Sequence, residues 1–219
     1  MIRGTAATLS RRTFIVGSAA AGGGLALGFN APFAAGPALA QGNAATEVNI
    51  WVAIKPDDAC VIRVVRSEMG QGTHTGLAQL VAEELECDWS KVTLEQIGPG
   101  ASLARKRVWG DFSTGGSRGI RTSHEYVRQG GAAAREMLVQ AAANQWKVPA
   151  AECSASNSVI THNPSGRKTT YGKVAEAAAR LEAPKSVKLK DPKDWKIAGK
   201  SIKRLDTRDK LTGRQVYGF

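Results

Sequence analysis

The feature that most constrains this fold is a strand that leads straight into a glycine-bounded loop and then into an amphipathic helix. Residues 60–66, CVIRVVR, have the apolar, β-branched composition of a strand. Ser67–Leu80 follows with the sequence SEMGQGTHTGLAQL, in which one glycine stands on either side of Gln71. Leucine and valine then recur at positions 77, 80, 81 and 85, which predicts a helix over 74–86 with one apolar face. The fold must therefore combine helices with a sheet, and the loop lies at their junction.

The rest of the chain predicts a mixture of strands and helices. The predicted strands are 47–54, 60–66 and 92–97, followed by a small hairpin from 159–161 and 168–170. The predicted helices are 74–86, 122–146 and 171–181, with Thr170 as the cap of the last. Residues 98–102 are predicted to be a connector, and 101–119 to be irregular. This order predicts an α+β fold, a mixed sheet with helices packed on one face. Gly130 and Gly131 inside the long helix indicate either a kink or close packing.

Residues 1–40 have the three parts of an export signal. A basic stretch with Arg11 and Arg12 precedes an apolar run, and residues 38–40, ALA, supply a small-residue cleavage site. Two arginines followed by Thr-Phe-Ile are the twin-arginine form, a route that carries proteins already folded. The apolar run is too rich in glycine and alanine to hold a bilayer core. The sequence therefore predicts a periplasmic protein with a domain over 41–182 and a basic linker over 183–219.

The formal net charge of +11 is unevenly distributed. Residues 166–219 carry 15 basic and 6 acidic residues, whereas 41–165 carry 12 and 13. A basic tail is typical of a segment that binds nucleic acid or an anionic surface. An exported chain meets little nucleic acid, however, and the tail has few aromatic residues, so a nucleic-acid partner is excluded. Two interpretations remain: a solvated linker, or a surface that lies against another, acidic subunit.

Two glycine-rich junctions are candidate binding sites. Each places glycine, whose backbone approaches a ligand closely, just before a helix whose N–H groups and dipole favour an anion. The candidate residues are Gly70, Gln71, Gly72 and Thr73 in the first junction and Thr114, Gly115, Gly116 and Ser117 in the second. A tight turn explains the first junction about equally well, because its glycine spacing matches neither a P-loop nor a dinucleotide fingerprint. A polyphosphate-bearing cofactor that spans both junctions would explain the pair, if the two helices pack side by side.

The remaining polar residues predict no catalytic or metal site. The three histidines are far apart in sequence, and only His74 is close enough to a glycine loop to contact a ligand there. His124 and His162 are predicted to be surface or internally bonded residues. The acids near the loops that have the chemistry of a general base are Glu68, Asp111 and Glu125. No pair of them has a telling spacing, so none is assigned a catalytic role.

The three cysteines do not form a recognisable motif. Cys60, Cys87 and Cys153 fit no metal or redox spacing, and their odd number allows at most one disulfide within the chain. Each is predicted to be a free, buried, structural cysteine.

Three segments in this order resemble the molybdopterin-binding large subunit of the xanthine dehydrogenase/aldehyde oxidase family. They are residues 67–96, SEMGQGTHTGLAQLVAEELECDWSKVTLEQ, residues 112–123, FSTGGSRGIRTS, and residues 200–219, KSIKRLDTRDKLTGRQVYGF. The closest branch is that of isoquinoline 1-oxidoreductase β-subunits and membrane-linked aldehyde dehydrogenase large subunits.

The resemblance implies a molybdopterin cofactor containing molybdenum, in bacteria usually the cytosine dinucleotide form, held by the eight junction residues. It implies oxidation of aldehydes or N-heterocycles by hydroxylation, with electrons passing to an iron–sulfur small subunit and in some members to cytochrome c. It also implies a further stretch of the large subunit, or a second split chain, that carries the general base. This chain is therefore expected to be the N-terminal, incomplete part of a larger fold and to be inactive alone.

Two other functions remain open at this stage. One is a non-catalytic exported module that binds an anionic ligand or an acidic partner. The other is a truncated remnant without a function.

Overall fold

The structure is a computed structural model that describes residues 44–215. Its strands are β1 (Thr46–Glu47), β2 (Val52–Ile54), β3 (Cys60–Val64), β4 (Val92–Gln96), β5 (Cys153–Ser156), β6 (Val159–His162) and β7 (Lys168–Thr170). Its helices are α1 (Thr73–Leu85), α2 (Pro99–Ala104), α3 (Arg118–Arg121), α4 (His124–Trp146), α5 (Tyr171–Ala178) and α6 (Thr207–Leu211). None of these helices has both the length and the apolar content needed to cross a membrane. The predicted export signal, residues 1–40, lies outside the described residues.

The larger sheet is mixed, with strand order β1-β2-β3-β4. β1 and β2 pair antiparallel, as do β2 and β3, whereas β3 and β4 run parallel with Cys60 opposite Val92. Parallel neighbours need a crossover, which α1 supplies. Cys60, Ile62 and Val64 bury one face of β3, and the residues between them are half-buried. Helix α1 packs against β3 and β4, and α4 and α5 pack against β2, so the predicted α+β fold is confirmed.

The predicted strand over 47–54 is wrong, because a turn divides it into β1 and β2. The side-chain oxygen of Asn49 accepts hydrogen bonds from the N–H groups of Trp51, at 2.9 Å, and Val52, at 3.0 Å. Such bonds offer the backbone an alternative to the extended ladder. The side-chain nitrogen of Asn49 donates to the carbonyl of Gly130 at 2.9 Å, which fastens this turn to α4.

Gly130 and Gly131 bring α4 into close contact with its neighbours. A β-carbon on Gly130 would lie 2.5 Å from Cδ1 of Trp51, and one on Gly131 would lie 2.5 Å from the carbonyl oxygen of Val81. Protein cores are packed so densely that either added atom would push α4 away from its neighbour, Trp51 in the first case and α1 in the second. Of the two predicted explanations for this glycine pair, close packing is therefore confirmed.

The second sheet is antiparallel and has the order β5-β6-β7. The predicted hairpin corresponds to β6 and β7. The sequence analysis missed β5, whose residues, CSAS, carry little strand propensity. Asn157 and Ser158 join β5 to β6 with positive φ angles of 49° and 62°, the sign that a two-residue type I′ turn requires.

Two short helices lie in segments predicted to be irregular. Residues 98–102, predicted to be a connector, instead enter α2, where Pro99 stands in the first turn and its missing N–H has no cost. Helix α3 occupies Arg118–Arg121 within the predicted irregular stretch. Thr170 lies at the N-cap of α5, as predicted, although its side chain makes no cap hydrogen bond.

The C-terminal segment, residues 183–215, lies along α1. The carboxylate of Glu83 accepts the backbone N–H groups of residues 196, 197 and 198 at 2.9, 2.6 and 3.0 Å. Lys190 pairs with Glu83 and with Glu86, and Lys196 also pairs with Glu86. The expectation of a solvated linker is therefore wrong for this part of the segment. The acidic side chains that Lys190 and Lys196 meet, Glu83 and Glu86, lie at the end of α1 in the same chain. These pairs compensate the charge of the buried Glu83, which would otherwise be costly to bury.

Candidate functional site

The first loop, Ser67–Gly72, is organised around the carboxylate of Glu68. Its Oε1 accepts hydrogen bonds from the N–H groups of Gly70, at 2.8 Å, and Gly72, at 2.9 Å, and its Oε2 accepts one from His74 at 3.1 Å. Gly72 is the N-cap of α1 and has a left-handed φ of 86°. Glu68 thus occupies the N-terminus of α1, the position that the sequence predicted for an external anion.

The charge of Glu68 fits this position. Burial raises the pKa of Glu68, but the hydrogen bonds from Gly72, His74 and Gly70 and the charge of Arg204 outweigh that effect and leave the pKa below its ordinary value. The carboxylate is therefore ionised at neutral pH and supplies the negative charge that a helix N-terminus favours. An external phosphate reaches these N–H groups only if it displaces Glu68. The expectation of an open helix N-terminus at the first junction is thus corrected.

Gln71 and Thr73, two of the predicted binding residues, are engaged within the protein. The side-chain nitrogen of Gln71 donates to the carbonyl of Ser67 at 2.8 Å, and its oxygen accepts the N–H of Met69. Thr73 is buried, and a β-carbon on Gly119 would lie 3.0 Å from its Oγ1. Gly70 and Gln71 remain exposed, so the outward side of the first loop is accessible.

The second loop, Asp111–Ser117, leaves the backbone donors of its last three residues free among the described residues. Gly115, Gly116 and Ser117 are exposed, and a β-carbon on either glycine would meet nothing within 4 Å. Gly116 and Ser117 have left-handed φ angles of 54° and 59°. Within residues 44–215, no acceptor takes the backbone N–H of Gly115, Gly116 or Ser117. The loop therefore presents three accessible, unpaired donors to solvent.

The two loops meet at one edge of the domain. The N–H of Ser67 donates to Oγ1 of Thr114 at 2.9 Å, a bond that joins the first loop to the second. Helix α3 packs against the start of α1, where Cδ1 of Ile120 lies 3.0 Å from the β-carbon position of Gly76. The predicted adjacency of the two junctions is confirmed. Because Thr114 is half-buried and bonded to Ser67, its hydroxyl joins the loops.

Two arginines that the sequence analysis did not single out reach these loops. Arg66, the residue just before the first loop, extends its side chain to the second. Arg204 lies in the C-terminal segment and donates from Nη1 to the carbonyl of Gly70 at 2.7 Å. The N–H of Leu205 donates to Oγ1 of Thr75 at 3.1 Å, so the segment touches the first turn of α1. For Arg66 the available signal was an arginine at the end of the predicted strand 60–66; for Arg204 it was the place of this residue in the family-like segment 200–219.

The remaining candidates are bonded internally. Asp111 accepts the N–H of Ser113, at 2.8 Å, and Nη1 of Arg66, at 3.0 Å, and these two bonds lower the pKa of Asp111. The ring of His74 bonds to the carbonyl of Arg66 at 2.8 Å, so the ligand contact expected of it is replaced by an internal one. His162 is buried and bonded to two side chains, as predicted. In the part of the chain that the structure describes, no three potential metal ligands cluster.

The cysteines are all free. Cys60 and Cys87 are buried, as predicted, whereas Cys153 is only half-buried. A hydrogen bond with Cys60, together with burial, raises the pKa of the Cys87 thiol well above its ordinary value. Because the thiolate is the reactive form, Cys87 is inert at neutral pH.

Comparison with known proteins identifies a family for this chain. Residues 5–214 match the family model of the molybdopterin cofactor-binding domain. The β-subunit of isoquinoline 1-oxidoreductase from Brevundimonas diminuta is 31 % identical over 96 % of this chain. The membrane-bound aldehyde dehydrogenase (pyrroloquinoline-quinone) from Gluconacetobacter polyoxogenes is 30 % identical over 97 % of it. The chain spans about a third of the length of these relatives, 32 % and 28 %.

Among solved structures, the Cu,Mo-CO dehydrogenase superposes on 57 % of this chain and 15 % of its own, with a TM-score of 0.42 and 23 % sequence identity. The family assignment comes from sequence, through the model match over nearly all of the chain and the two relatives at 30 % identity or more. It agrees with the resemblance seen in the three sequence segments. The chain belongs to the molybdopterin cofactor-binding domain family.

Proposed function

We propose that this chain is the exported, cofactor-binding part of a molybdenum hydroxylase large subunit. In this proposal the two loops hold the molybdopterin cofactor, in its cytosine dinucleotide form, and a longer or second polypeptide completes the active site. The observation that carries the proposal is the junction of the two loops through Ser67 and Thr114, with free backbone donors beside it.

The second loop fits an anionic, phosphate-bearing group. Gly115 and Gly116 leave empty space where a side chain would stand, so a ligand has access to the backbone N–H groups of residues 115–117. Arg118 and Arg121 follow directly and are exposed, which adds positive charge next to these donors. Phosphate oxygens accept charge-assisted bonds from such groups. We assign Thr114, Gly115, Gly116 and Ser117 to the phosphate-bearing part of the cofactor.

The first loop fits a different part of the same cofactor. Its helix N–H groups are bonded to Glu68, so it does not offer the phosphate cradle of an open helix N-terminus. What it offers is open space beside Gly70 and the exposed amide of Gln71, which keeps one N–H and one oxygen lone pair beyond its bonds to Ser67 and Met69. An amide both donates and accepts, which suits a polar heterocycle such as a pterin. Gly72 and Thr73 then act by shaping the loop rather than by contacting the ligand.

The cofactor and the described residues have different roles in this proposal. When bound, the molybdenum cofactor supplies the hydroxylation of an aldehyde or N-heterocycle. The described residues supply binding and orientation, and we assign none of them the role of general base. We further propose that electrons leave through an iron–sulfur small subunit and, in the periplasm, pass on to a cytochrome c.

Metal and pterin analysis of the natural complex tests this proposal. The full chain is purified, with the polypeptides that accompany it, from a host that makes the cofactor. We expect molybdenum and pterin near one per chain, and cytidine monophosphate on acid hydrolysis. A stable complex without molybdenum and pterin would refute the binding role, and pterin without a cytidine nucleotide would refute only the dinucleotide form.

Export is tested separately. Replacement of Arg11 and Arg12 by lysine should retain the chain in the cytoplasm, because the twin-arginine route requires both. Periplasmic recovery of the double variant at the wild-type level would contradict the proposed route.

A further inference from the structure

We infer that Arg66 is a positioning residue for the cofactor: its buried guanidinium sets the geometry of the second loop relative to the first. This inference rests on the proposed function, since it gives Arg66 a role at the site proposed there. Arg66 is 1 % exposed and is the largest fully buried side chain among the described residues. It stands two residues after the end of β3, directly before Ser67.

Among residues 44–215, the guanidinium of Arg66 bonds only to the second loop and to the segment that enters α4. Its polar partners are Oγ of Ser123 at 2.9 Å, Oδ2 of Asp111 at 3.0 Å, Oγ1 of Thr122 at 3.1 Å, the hydroxyl of Tyr126 at 3.5 Å, and the carbonyl of Ser113. Two of these partners, Asp111 and Ser113, belong to the second loop. One side chain therefore fixes that loop and the first turns of α4 together.

The backbone of Arg66 holds the other side of the site. Its carbonyl accepts a bond from the ring of His74 at 2.8 Å, in the first turn of α1. The next residue, Ser67, donates its N–H to Thr114 in the second loop. The side chain and carbonyl of Arg66, together with the adjacent N–H of Ser67, thus connect α1, the first loop and the second loop. The position of Arg66 therefore determines the distance between the two sets of proposed cofactor contacts.

This position requires the several N–H donors of an arginine guanidinium. A guanidinium presents five N–H donors in a rigid plane, and here all three of its nitrogens are bonded. A lysine would retain the charge but offers a single nitrogen, so it reaches only some of these partners. The side chain of Asp111 is 59 % exposed, so solvent screens part of its attraction to the buried Arg66. Arg66→Lys therefore keeps the positive charge and removes part of the hydrogen-bond arrangement that holds the loop.

The test uses the full chain in its natural complex and compares two arginines three positions apart. Arg66→Lys is the test variant. Arg63→Lys is the matched control, because Arg63 is a mostly buried arginine of the neighbouring strand β3, paired with Glu47 and Glu95 and not bonded to either loop. Asp111→Asn is a second test variant; its side chain is exposed, so it leaves the fold intact while weakening one bond of Arg66 to the loop.

Three quantities are measured for each variant: molybdenum and pterin per folded chain, thermal stability, and amide hydrogen exchange of residues 111–118. We expect Arg66→Lys to lower cofactor content about tenfold, as loss of an outer partner of a cofactor ligand commonly does, and to speed exchange in 111–118. Asp111→Asn should shift both quantities in the same direction by a smaller factor. Arg63→Lys should leave cofactor content and exchange at the wild-type level, even where it lowers thermal stability.

Each outcome decides the inference. Full cofactor content in folded Arg66→Lys, or equal losses in Arg66→Lys and Arg63→Lys, would overturn it. If Arg66→Lys does not fold, wild-type content and exchange in Asp111→Asn would overturn it instead. If wild-type protein itself holds no cofactor, the proposed function fails, whereas the exchange of 111–118 still decides whether Arg66 positions the loop.

Discussion

Glu68 and Arg204, 136 positions apart in the sequence, form an ion pair in which Oε1 lies 3.1 Å from Nη2. Arg204 also pairs with Asp206, so the contact belongs to a small charge cluster in the C-terminal segment. Through it the first loop depends on residues that follow the second sheet. The shape of the proposed cofactor site is therefore decided by the whole domain, and not by the loop sequence alone.

Replacement of Glu68 by alanine should destabilise the protein by about 1–2 kcal/mol, because three backbone N–H groups at the start of α1 lose their acceptor. Urea unfolding measures this loss. The control is Glu125→Ala, an exposed acid in the first turn of α4, which should change stability by no more than about 0.5 kcal/mol. Equal effects of the two substitutions would contradict the capping role of Glu68.

Asp206 should make stability fall at acid pH. The hydrogen bond from Arg204, opposed by burial and assisted by Lys210, lowers the pKa of Asp206 from 3.8 to about 2. A folded-state pKa below the unfolded value stabilises the protein above about pH 4, and this contribution is lost as the pH falls towards 2. Unfolding midpoints of Asp206→Asn between pH 5 and 2 should therefore decline less steeply than those of wild type.

The matched variant for this pH series is Asp209→Asn, in helix α6, whose N-cap residue is Asp206. Asp209 forms no ion pair among the residues that the structure describes, so its replacement leaves the Arg204–Asp206 pair in place. A decline in Asp206→Asn as steep as in Asp209→Asn would contradict the prediction.

Glu83→Ala should release the C-terminal segment from α1. Glu83 is 2 % exposed, and its removal leaves the partly buried Lys190 and three backbone N–H groups without that acceptor. We expect a loss of about 3 kcal/mol, the size typical of breaking a buried charged contact. Urea unfolding and limited proteolysis of residues 183–206 give the two readouts. Glu176→Ala, an exposed acid of α5, is the control, and resistance of Glu83→Ala to proteolysis at the control level would contradict the packing role.

Gly115→Val should block the cofactor without disturbing the fold. A side chain there enters empty space, and Gly115 does not have the left-handed φ that would strain valine. The added atoms stand where a ligand would approach the backbone, so cofactor content per folded chain should fall at least several fold. Gly98→Val, another glycine with nothing within 4 Å and no left-handed φ, is the control. Wild-type cofactor content in Gly115→Val would argue against the second loop as a binding element.

Gly131→Ala separates helix propensity from packing. Alanine favours a helix over glycine by about 1 kcal/mol, so propensity alone predicts a more stable protein. The β-carbon would lie 2.5 Å from the carbonyl oxygen of Val81, so α4 must move away from α1. We expect a net loss of about 1–3 kcal/mol in urea unfolding, as overpacking commonly causes. Stabilisation by this substitution would show that the contact between α1 and α4 is looser than described.

The local sequence was sufficient to predict an element wherever one short segment contains the whole pattern of that element. The apolar spacing after Thr73 predicted α1, and two glycine junctions predicted two loops, which lie side by side as the packing of their helices allows. It failed at Asn49, because a side-chain oxygen replaced ladder bonds in a run with strand composition. It failed again at β5, where pairing with β6 outweighs the weak strand propensity of its small residues.

The sequence by itself determined the family, the α+β class and the two glycine loops, whereas the adjacency of the loops depended on how their helices pack. Only the tertiary structure decided what occupies the first junction and what holds the second. Glu68 fills the helix N-terminus from within, Arg66 crosses from one loop to the other, and Arg204 arrives from the end of the domain. The physical reason is that Arg66 and Arg204 bond to partners 45 and 134 positions away, and local periodicity carries no record of such pairings. The bonds of Glu68 are local, but they depend on the left-handed conformation of Gly72, which apolar spacing does not report.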